Sequence, residues 1–209
     1  MRLVLASASP RRRELLRGLD LVFSVCPADI DETPREAEAP AQYVKRLAQE
    51  KAEALAAAGT TVIAADTVVV IDSQILGKPN DREHAEATLV ALTNRTHEVY
   101  TGVAVVAEPI NAGPNDAGRR WASGIEITRV TMAEVPPERI DSFLDVGEYA
   151  DKAGSYALLG SSSIFADHVE GSVSNVVGLP LPLTDRLCAQ IGIDLLSFRP
   201  DPPPAPRGR

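Results

Sequence analysis

The sequence predicts an α/β fold of the mixed α+β kind, with a mixed sheet flanked by helices. Segments with strand and helix patterns follow one another without the strict alternation of a purely parallel sheet. Hydrophobic residues make up 44% of the 209 residues and aromatic residues only 4%, which indicates an aliphatic core. Residues 1–198 are predicted to form a single domain, and the Pro-rich tail, 199–209, has the composition of a disordered segment.

Short apolar runs predict the strands. The most strand-like run is TVIAADTVVVI, residues 61–71, which is polar only at its start and at Asp66 and Thr67. Turn residues at 72–74 predict a reversal before residues 75–79. The other predicted strands are residues 3–6, 21–25, 96–107 and 121–132, with short alternating strands over 155–169. The pair 96–107 and 121–132 predicts a hairpin with an enlarged loop over 108–120.

Capping residues and helix breakers predict five helices. Ser9 is a suitable N-cap, and Pro10 a suitable first residue, for a helix that extends to about Leu19. Asn80 is expected to cap the third helix, which begins at residue 81, with Glu83 completing a capping box. The helices after the first are predicted over residues 40–58, 81–92, 137–145 and 181–191.

Charge and composition restrict the classes of function. The chain has 21 Lys and Arg residues against 29 Asp and Glu residues, a net charge of −8. This balance disfavours nucleic acid as a partner, although a local cluster of positive charge could still bind a small anion. No apolar stretch approaches the roughly 20 residues of a membrane span, and the N-terminal apolar run is too short for a signal peptide. We expect a soluble cytoplasmic protein without a membrane partner, with Cys26 and Cys188 as reduced core thiols.

The first loop and helix offer an anion-binding site. The helix start presents backbone N–H groups and the positive end of the helix dipole. The Ser7 hydroxyl and the forked guanidinium groups of Arg11 and Arg12 would add donors. An ordinary capped helix with solvated arginines would have the same sequence, and the motif alone leaves both interpretations open.

Asp66 is the main candidate for catalysis. It interrupts an apolar strand, where a charge is unfavourable unless it is paired or binds a metal. A carboxylate at the end of a strand can serve as a general base or as a Mg²⁺ ligand. The alternative is a strand that ends one residue earlier, with Asp66 in a turn.

Four further charged residues are candidates, each with a structural alternative. Lys51 lies in a charged helix and would also suit a solvated helix face. Lys78 lies in a loop from which it could reach a phosphate. Glu32 belongs to an acidic segment that also has the composition of a solubilising loop. Lys152 precedes a glycine turn that would suit either close approach of a ligand or a plain hairpin.

Eight segments, in their order and wording, resemble the Maf family of nucleotide pyrophosphatases. The resemblance extends from about residue 3 to residue 191, and leaves out the tail and the 108–120 loop. The segments are LASASPRR (5–12), DIDET (29–33), RLAQEKA (46–52), AADTVV (64–69), LGKP (76–79), TGVAVV (101–106), DKAGSYA (151–157) and NVVGLPL (175–181).

The resemblance implies hydrolysis of nucleoside triphosphates to monophosphate and pyrophosphate. It implies an elongated, Maf/ITPase-like mixed fold whose two lobes enclose a deep cleft. Asp66 matches the family's proton acceptor, and Asp66 and Glu32 are the expected ligands of a divalent cation, Mg²⁺ first and Mn²⁺ as the alternative. The residues expected to contact the nucleotide are Ser7, Arg11, Arg12, Lys51, Thr67, Lys78, Lys152 and Leu159. Many members of the family are dimers, so the resemblance is also compatible with a homodimer.

Three positions bear on the choice of substrate. Arg11 and Thr67 match the subgroup that acts on the pyrimidine triphosphates dTTP and UTP, whereas Leu159 stands where that subgroup has Gln. Leu cannot hydrogen-bond a base edge, so a broader selectivity is expected. Two alternatives are a non-catalytic nucleotide-binding regulator of septum formation and a pyrophosphatase for modified nucleotides.

Overall fold

The architecture is a seven-stranded mixed sheet with helices on both faces. A computed structural model describes residues 1–110 and 118–200. Its strands are β1 (Arg2–Leu5), β2 (Phe23–Val25), β3 (Thr60–Ile71), β4 (Gln74–Leu76), β5 (Thr96–Glu108), β6 (Arg120–Met132) and β7 (Ala166–Glu170). They are ordered β2-β1-β3-β5-β6-β7, and β4 pairs with β3 beside this path. The β1–β2 and β1–β3 pairs are parallel and the other pairs antiparallel, which confirms the predicted mixed sheet.

The helices divide between the two faces of the sheet. The six α-helices of the described residues are α1 (Pro10–Arg17), α2 (Pro40–Ala54), α3 (Arg82–Leu92), α4 (Pro137–Asp145), α5 (Val173–Val177) and α6 (Leu181–Gln190). Helix α2 covers one face of β3 and β5. On the opposite face, α1 and α6 pack over the first half of β3, and α3 and α4 pack over its second half.

Strand β3 belongs to both halves of the core. Because successive strand residues point to opposite faces, Ile63 and Ala65 pack towards α1 and α6, while Val62 and Ala64 pack towards α2. The same alternation resumes with Val68 to Ile71 in the second half of the strand. The two polar residues between these halves, Asp66 and Thr67, therefore face opposite sides of the sheet.

A glycine lets α2 approach the sheet closely. Gly102 of β5 is the direct cross-strand partner of Asp66. A Cβ atom on Gly102 would lie 2.2 Å from the carbonyl oxygen of Val44, in α2. Lys51 lies seven residues after Val44, which is about two helical turns, and so on the same face of α2. Because glycine has no side chain, α2 can pack directly on β5 at Gly102. This places the face of α2 that carries Lys51 next to Asp66 on the neighbouring strand, β3.

Most predicted elements are confirmed, including the Ser9 cap of α1 and the β5–β6 hairpin. The short strands predicted over 155–169 are wrong: this region contains 3-10 turns at Ala153–Ser155 and Ser161–Phe165, and strand structure begins only with β7. Gly154 and Gly160 adopt positive φ angles of 70° and 125°, which interrupt an extended path.

Two boundary predictions are also wrong, for local reasons. Asp81, not Asn80, caps α3, because its carboxylate accepts the N–H of His84 at 2.7 Å; the predicted capping box with Glu83 does not form. Helix α2 ends at Ala54 and not at residue 58. The segment after it is a turn in which the Ala57 N–H and carbonyl both bond to the Thr60 hydroxyl.

Three predictions concern the remaining segments. Both cysteines are free, but only Cys188 is buried; Cys26 is exposed, so the expectation that both lie in the core was wrong for Cys26. The predicted tail, apart from residues 199 and 200, and the middle of the predicted 108–120 loop lie outside the described residues. Within residues 1–110 and 118–200, no helix has the length and apolar character needed to cross a membrane.

Replacing Gly102 with Ala is expected to destabilise the fold by about 2 kcal/mol, since an added methyl group in a tightly packed site typically costs 1–3 kcal/mol. The methyl group would press on the backbone of α2, which cannot yield without moving the helix. Urea unfolding of purified protein would measure the change. Gly77→Ala is the matched control, because a Cβ there meets nothing within 4 Å. Equal midpoints for the two variants would contradict the close approach of α2.

Candidate active site

A cavity of about 420 Å³ lies over the middle of β3. It is bounded by the β1–α1 loop, the segment before α2, α2 itself, β3, and the segments around residues 77, 151–159 and 176–178. All ten residues predicted for the site line this cavity. They are Ser7, Arg11, Arg12, Glu32, Lys51, Asp66, Thr67, Lys78, Lys152 and Leu159.

The central contact of the cavity joins Lys51 to two carboxylates. The Lys51 Nζ atom lies 2.7 Å from Asp66 Oδ1 and 2.8 Å from Glu32 Oε1. Lys51 and Asp66 are each 8% exposed, whereas Glu32 is exposed. The alternatives of a solvated Lys51 and of Asp66 in a turn are therefore excluded. The sequence had suggested a carboxylate at the end of a strand, but Asp66 lies in the middle of β3.

The acidic segment that carries Glu32 is fastened to α2. The Tyr43 hydroxyl donates to the carbonyl oxygen of Glu32 at 2.9 Å. Arg46 donates to both oxygens of Glu38, at 2.6 and 2.7 Å. The hydrogen bond from Arg46 lowers the pKa of Glu38 to about 2, so this contact persists at neutral pH. The segment is thus a positioned wall of the cavity and not merely a solubilising loop.

Arg12 holds three segments together beneath the cavity. Its Nε donates to the carbonyl of Gly178 at 2.7 Å, and its Nη1 donates to the carbonyl of Ala65 at 2.7 Å and to Ser7 Oγ at 3.1 Å. Its Nη2 donates to Thr67 Oγ1 at 3.0 Å. Burial lowers the pKa of Arg12, an effect that the nearby Asp66 carboxylate opposes. With four contacts to protein atoms, the guanidinium group has little capacity left for a ligand.

Ser7 is left as a donor into the cavity. Its Oγ accepts hydrogen bonds from the Ser9 N–H at 3.2 Å and from Arg12 Nη1 at 3.1 Å. Since a hydroxyl has two acceptor positions and one proton, the proton remains to be donated. The helix start itself offers fewer backbone donors than the sequence suggested: Pro10 has no N–H, and the N–H groups of Arg12 and Arg13 bond to Ser9. In the first helical turn, the Arg11 N–H is left to join the side chains in binding an anion.

On the Thr67 side of the sheet, hydroxyl and amide groups extend the hydrogen bond that Thr67 accepts from Arg12. The hydroxyls of Thr67 and Thr101, cross-strand partners on β3 and β5, lie 2.9 Å apart. Thr101 in turn donates to the carbonyl of Asn175 at 3.1 Å. Asn175 is fully buried and donates from Nδ2 to Val99 and Thr128. This network fixes α5 and the following Gly178 against the sheet.

At the edge of the cavity, two cationic side chains from separate segments contact the same carboxylate, that of Asp151. Arg11 Nη1 lies 2.8 Å from Asp151 Oδ2, across 140 residues of sequence. Lys152 Nζ lies 2.9 Å from Asp151 Oδ1 and also donates to the carbonyl of Glu148. Lys78 is exposed and makes no ion pair within the described residues. The Gly154 N–H donates to Gly77 at 3.2 Å, which ties the loops of Lys78 and Lys152 together.

The far wall combines a buried aromatic pair with an exposed leucine. The Tyr156 hydroxyl lies 2.7 Å from Nε2 of His97, and the two rings meet edge-on at 5.4 Å. Burial lowers the pKa of His97 to about 4, so the ring is neutral at pH 7. Leu159 is 57% exposed. It therefore presents an apolar side chain to whatever enters from this end.

Sequence reasoning missed several residues that build the site. Asp151, Arg46 and Tyr43 were not predicted as site residues. The first two lie in segments that resemble the Maf family, 151–157 and 46–52. One signal was available for Lys51: it falls at helical spacing from Val44 and so on the buried stripe of α2, not on its solvated face.

The two predicted metal ligands suit a magnesium site in their chemistry. Mg²⁺ is commonly held by one or two carboxylates, with waters and substrate phosphates completing its shell. Glu32 and Asp66 supply two carboxylates that converge on one point, the Lys51 ammonium group. Among the described residues, no group of three His, Cys, Asp or Glu side chains could hold a metal ion by itself. The donor set therefore fits a cation that arrives with an anionic ligand.

Comparison with known proteins identifies the class of this chain. The family model described as Maf-like protein matches residues 2–191. A relative from Myxococcus xanthus (strain DK1622), named dTTP/UTP pyrophosphatase, is 48% identical over 92% of this chain and 94% of its own length. A relative from Hahella chejuensis (strain KCTC 2396) with the same name is 45% identical over 94% of this chain and 95% of its own. The chain belongs to the Maf family.

Arg12→Lys is expected to destabilise the protein by about 3 kcal/mol, since each buried polar group left unpaired costs about 1–3 kcal/mol. A single ammonium group cannot reach the carbonyls of Gly178 and Ala65 and the Thr67 hydroxyl from one position. Thermal or urea unfolding would measure the loss. Arg11→Lys is the control and should change stability by less than about 1 kcal/mol, because its partner is a half-exposed carboxylate. Similar losses for both variants would show that the Arg12 contacts do not stabilise the fold.

Proposed function

We propose that this protein hydrolyses nucleoside triphosphates, with dTTP and UTP as the expected substrates, to the monophosphate and pyrophosphate. The observation that supports this proposal best is the buried Asp66 carboxylate, held by Lys51 in a cavity that cationic side chains surround. The relatives named dTTP/UTP pyrophosphatase cover more than nine-tenths of this chain, which supports the same reaction. Removal of these triphosphates from the nucleotide pool would follow from it.

The charge of the cavity suits a triphosphate. Five cationic side chains and three carboxylates line it, in a protein whose net charge is −8. Positive charge in a cleft raises the local concentration of anions even when the whole molecule is acidic. The cations are Arg11, Arg12, Lys51, Lys78 and Lys152. Of these, Lys78 at the exposed rim has the most freedom to bind phosphate oxygens.

The reaction requires attack of water on the α-phosphorus atom. A bond forms between the water oxygen and phosphorus, the bond to the oxygen that bridges the α- and β-phosphates breaks, and pyrophosphate leaves. We assign to Asp66 the role of orienting the water and accepting its proton. Lys51 keeps the Asp66 carboxylate fixed, and Glu32 holds Lys51 from the other side. Ser7 and the rim cations would bind the phosphate oxygens.

A divalent cation is part of this proposal. Glu32 and Asp66 are the residues that would hold it, and Mg²⁺ is the expected ion. When bound, such an ion would neutralise phosphate charge and favour ionisation of water. The role of the chain itself is to place two carboxylates and a lysine at one point of the cavity wall.

Selectivity for the base is proposed to be weak. Leu159 lines the cavity with an exposed apolar side chain and offers no hydrogen bond to a base edge. The Thr67 hydroxyl is already engaged by Arg12 and Thr101, so it acts mainly through the positions of these neighbours. Apolar contacts discriminate less than polar pairing does. We therefore expect turnover of pyrimidine triphosphates together with slower turnover of others, including modified nucleotides.

Asp66→Asn is expected to lower kcat by about 10²- to 10⁴-fold, the range of a lost general base. The amide keeps the shape of the side chain but cannot accept the proton from water. The measurement is product analysis by chromatography after incubation with Mg²⁺ and a panel of standard and modified triphosphates. Asp31→Asn is the control: it lies in the same acidic segment as Glu32, but its carboxylate accepts from the local Thr33 N–H and does not line the cavity.

The same panel distinguishes the alternatives. Monophosphate and pyrophosphate from dTTP or UTP, abolished in Asp66→Asn and retained in Asp31→Asn, would support the assignment. Wild-type turnover by Asp66→Asn would refute the role of Asp66. Binding of triphosphates without turnover by the unmodified protein would instead favour a non-catalytic regulator.

Leu159→Gln is expected to raise the preference in kcat/KM for dTTP and UTP over purine triphosphates by about tenfold, because a polar partner discriminates more strongly than an apolar contact. Leu159→Met retains an apolar side chain and should leave the preference unchanged. Steady-state kinetics with UTP, dTTP, GTP and ATP would measure it. An unchanged preference in Leu159→Gln would mean that the base does not reach this side chain.

A further inference from the structure

Asp151 is a carboxylate placed where a phosphate would be expected. Its Oδ2 accepts from Arg11 Nη1 at 2.8 Å, and its Oδ1 accepts from Lys152 Nζ at 2.9 Å. All three residues line the cavity. Each carboxylate oxygen thus faces one cation, which is the arrangement that two oxygens of a phosphate group would adopt between the same side chains.

Neither the hydrolysis proposed above nor burial requires a carboxylate at this point. The Asp151 side chain is 53% exposed, so the fold does not force it into the contact. Burial by itself would raise the pKa of Asp151, but the hydrogen bonds from Lys152 and Arg11 outweigh it and lower the pKa. Asp151 is therefore ionised at neutral pH, and it repels the anion that the surrounding cations attract.

The two cations are also held in place by contacts that do not involve this carboxylate. Arg11 Nη2 donates to the backbone carbonyl of Asp151 at 3.1 Å, and Lys152 Nζ donates to the backbone carbonyl of Glu148. The backbone here is itself fixed, because the Gly154 N–H donates to Gly77. Rotation of the Asp151 side chain alone would leave Arg11 and Lys152 still positioned.

We propose that Asp151 occupies a phosphate position in the free protein and competes with phosphate groups for Arg11 and Lys152. It thereby weakens binding of the triphosphate and speeds the release of pyrophosphate. This inference rests on the proposed function for its biological meaning, but the competition itself concerns only the binding of phosphate groups. Asp151 is then a residue that sets affinity and not one that performs the chemistry.

Asp151→Asn tests the competition. The amide keeps the size of the side chain and removes its charge, so inorganic pyrophosphate is expected to bind about tenfold more tightly, as exposed charge–charge competition predicts. Isothermal titration calorimetry with pyrophosphate, first without added metal and then with Mg²⁺, measures this without any turnover. A residue with a merely structural role would weaken binding when replaced, or leave it unchanged.

Two further variants make the result decisive. Asp141→Asn removes an exposed carboxylate that pairs with Arg82 outside the cavity, and pyrophosphate affinity should not change. Asp151→Ala provides a second neutral variant, which should also bind pyrophosphate more tightly if Asp151→Asn folds poorly. Unchanged or weaker binding in a folded Asp151 variant would overturn the inference. Tighter pyrophosphate binding in a protein that hydrolyses no triphosphate would support the competition while refuting the proposed function.

Discussion

The ion pair between Lys51 and Asp66 is the constraint on which the site depends. Both residues are only 8% exposed, and removing Lys51 would leave the Asp66 carboxylate without its ion-pair partner between α2 and the sheet. Close to this contact, α2 touches the backbone of β5 at Gly102, directly across from Asp66. The close packing of α2 on the sheet and the placement of the Asp66 carboxylate are thus one feature of this fold.

Because side chains alternate along β3, Asp66 and Thr67 make their contacts on opposite faces of the sheet. Asp66 points towards α2 and takes part in charged contacts, with Lys51 and through it Glu32. Thr67, one residue later, points to the other face and joins the network that includes Arg12. Arg12 in turn binds the carbonyl of Ala65, one residue before Asp66. The strand segment that carries the carboxylate is therefore held from both sides, which restricts its motion without burying it completely.

The sequence allowed the selection of residues that line one cavity, but not the prediction of the contacts between them. A charge inside the apolar run of β3 needed a partner on energetic grounds, and that argument was correct for Asp66. The identity of the partner could not be found in the same way, since Lys51 meets Asp66 only after α2 has packed on the sheet. The helical spacing from Val44 to Lys51 was the one local signal of burial, and the charged neighbours of Lys51 in sequence obscured it.

Other parts of the fold were less predictable because their determinants are not local. The segment after Lys152 has an apolar alternation that favours strands, yet positive φ angles at Gly154, Ser155 and Gly160 turn it into compact 3-10 structure. Asp151, which directly precedes this structure, contacts Arg11, a residue 140 positions away in the sequence. No pattern within either segment specifies such a pair.

The arrangement of charges explains how an acidic protein can present five cations to a polyanion while, among the described residues, only Lys78 is exposed without an ion-pair partner. Lys51 is matched by Asp66 and Glu32, and Arg11 and Lys152 are matched by Asp151, whereas Arg12 is engaged by carbonyl and hydroxyl oxygens. The cavity of the free protein therefore has most of its cations already paired. A phosphate-bearing ligand must exchange partners with these carboxylates, so the affinity reflects the difference between two sets of contacts and not the sum of the new ones. Such an exchange keeps the cations in position before the ligand arrives and limits how tightly the anionic product can be retained.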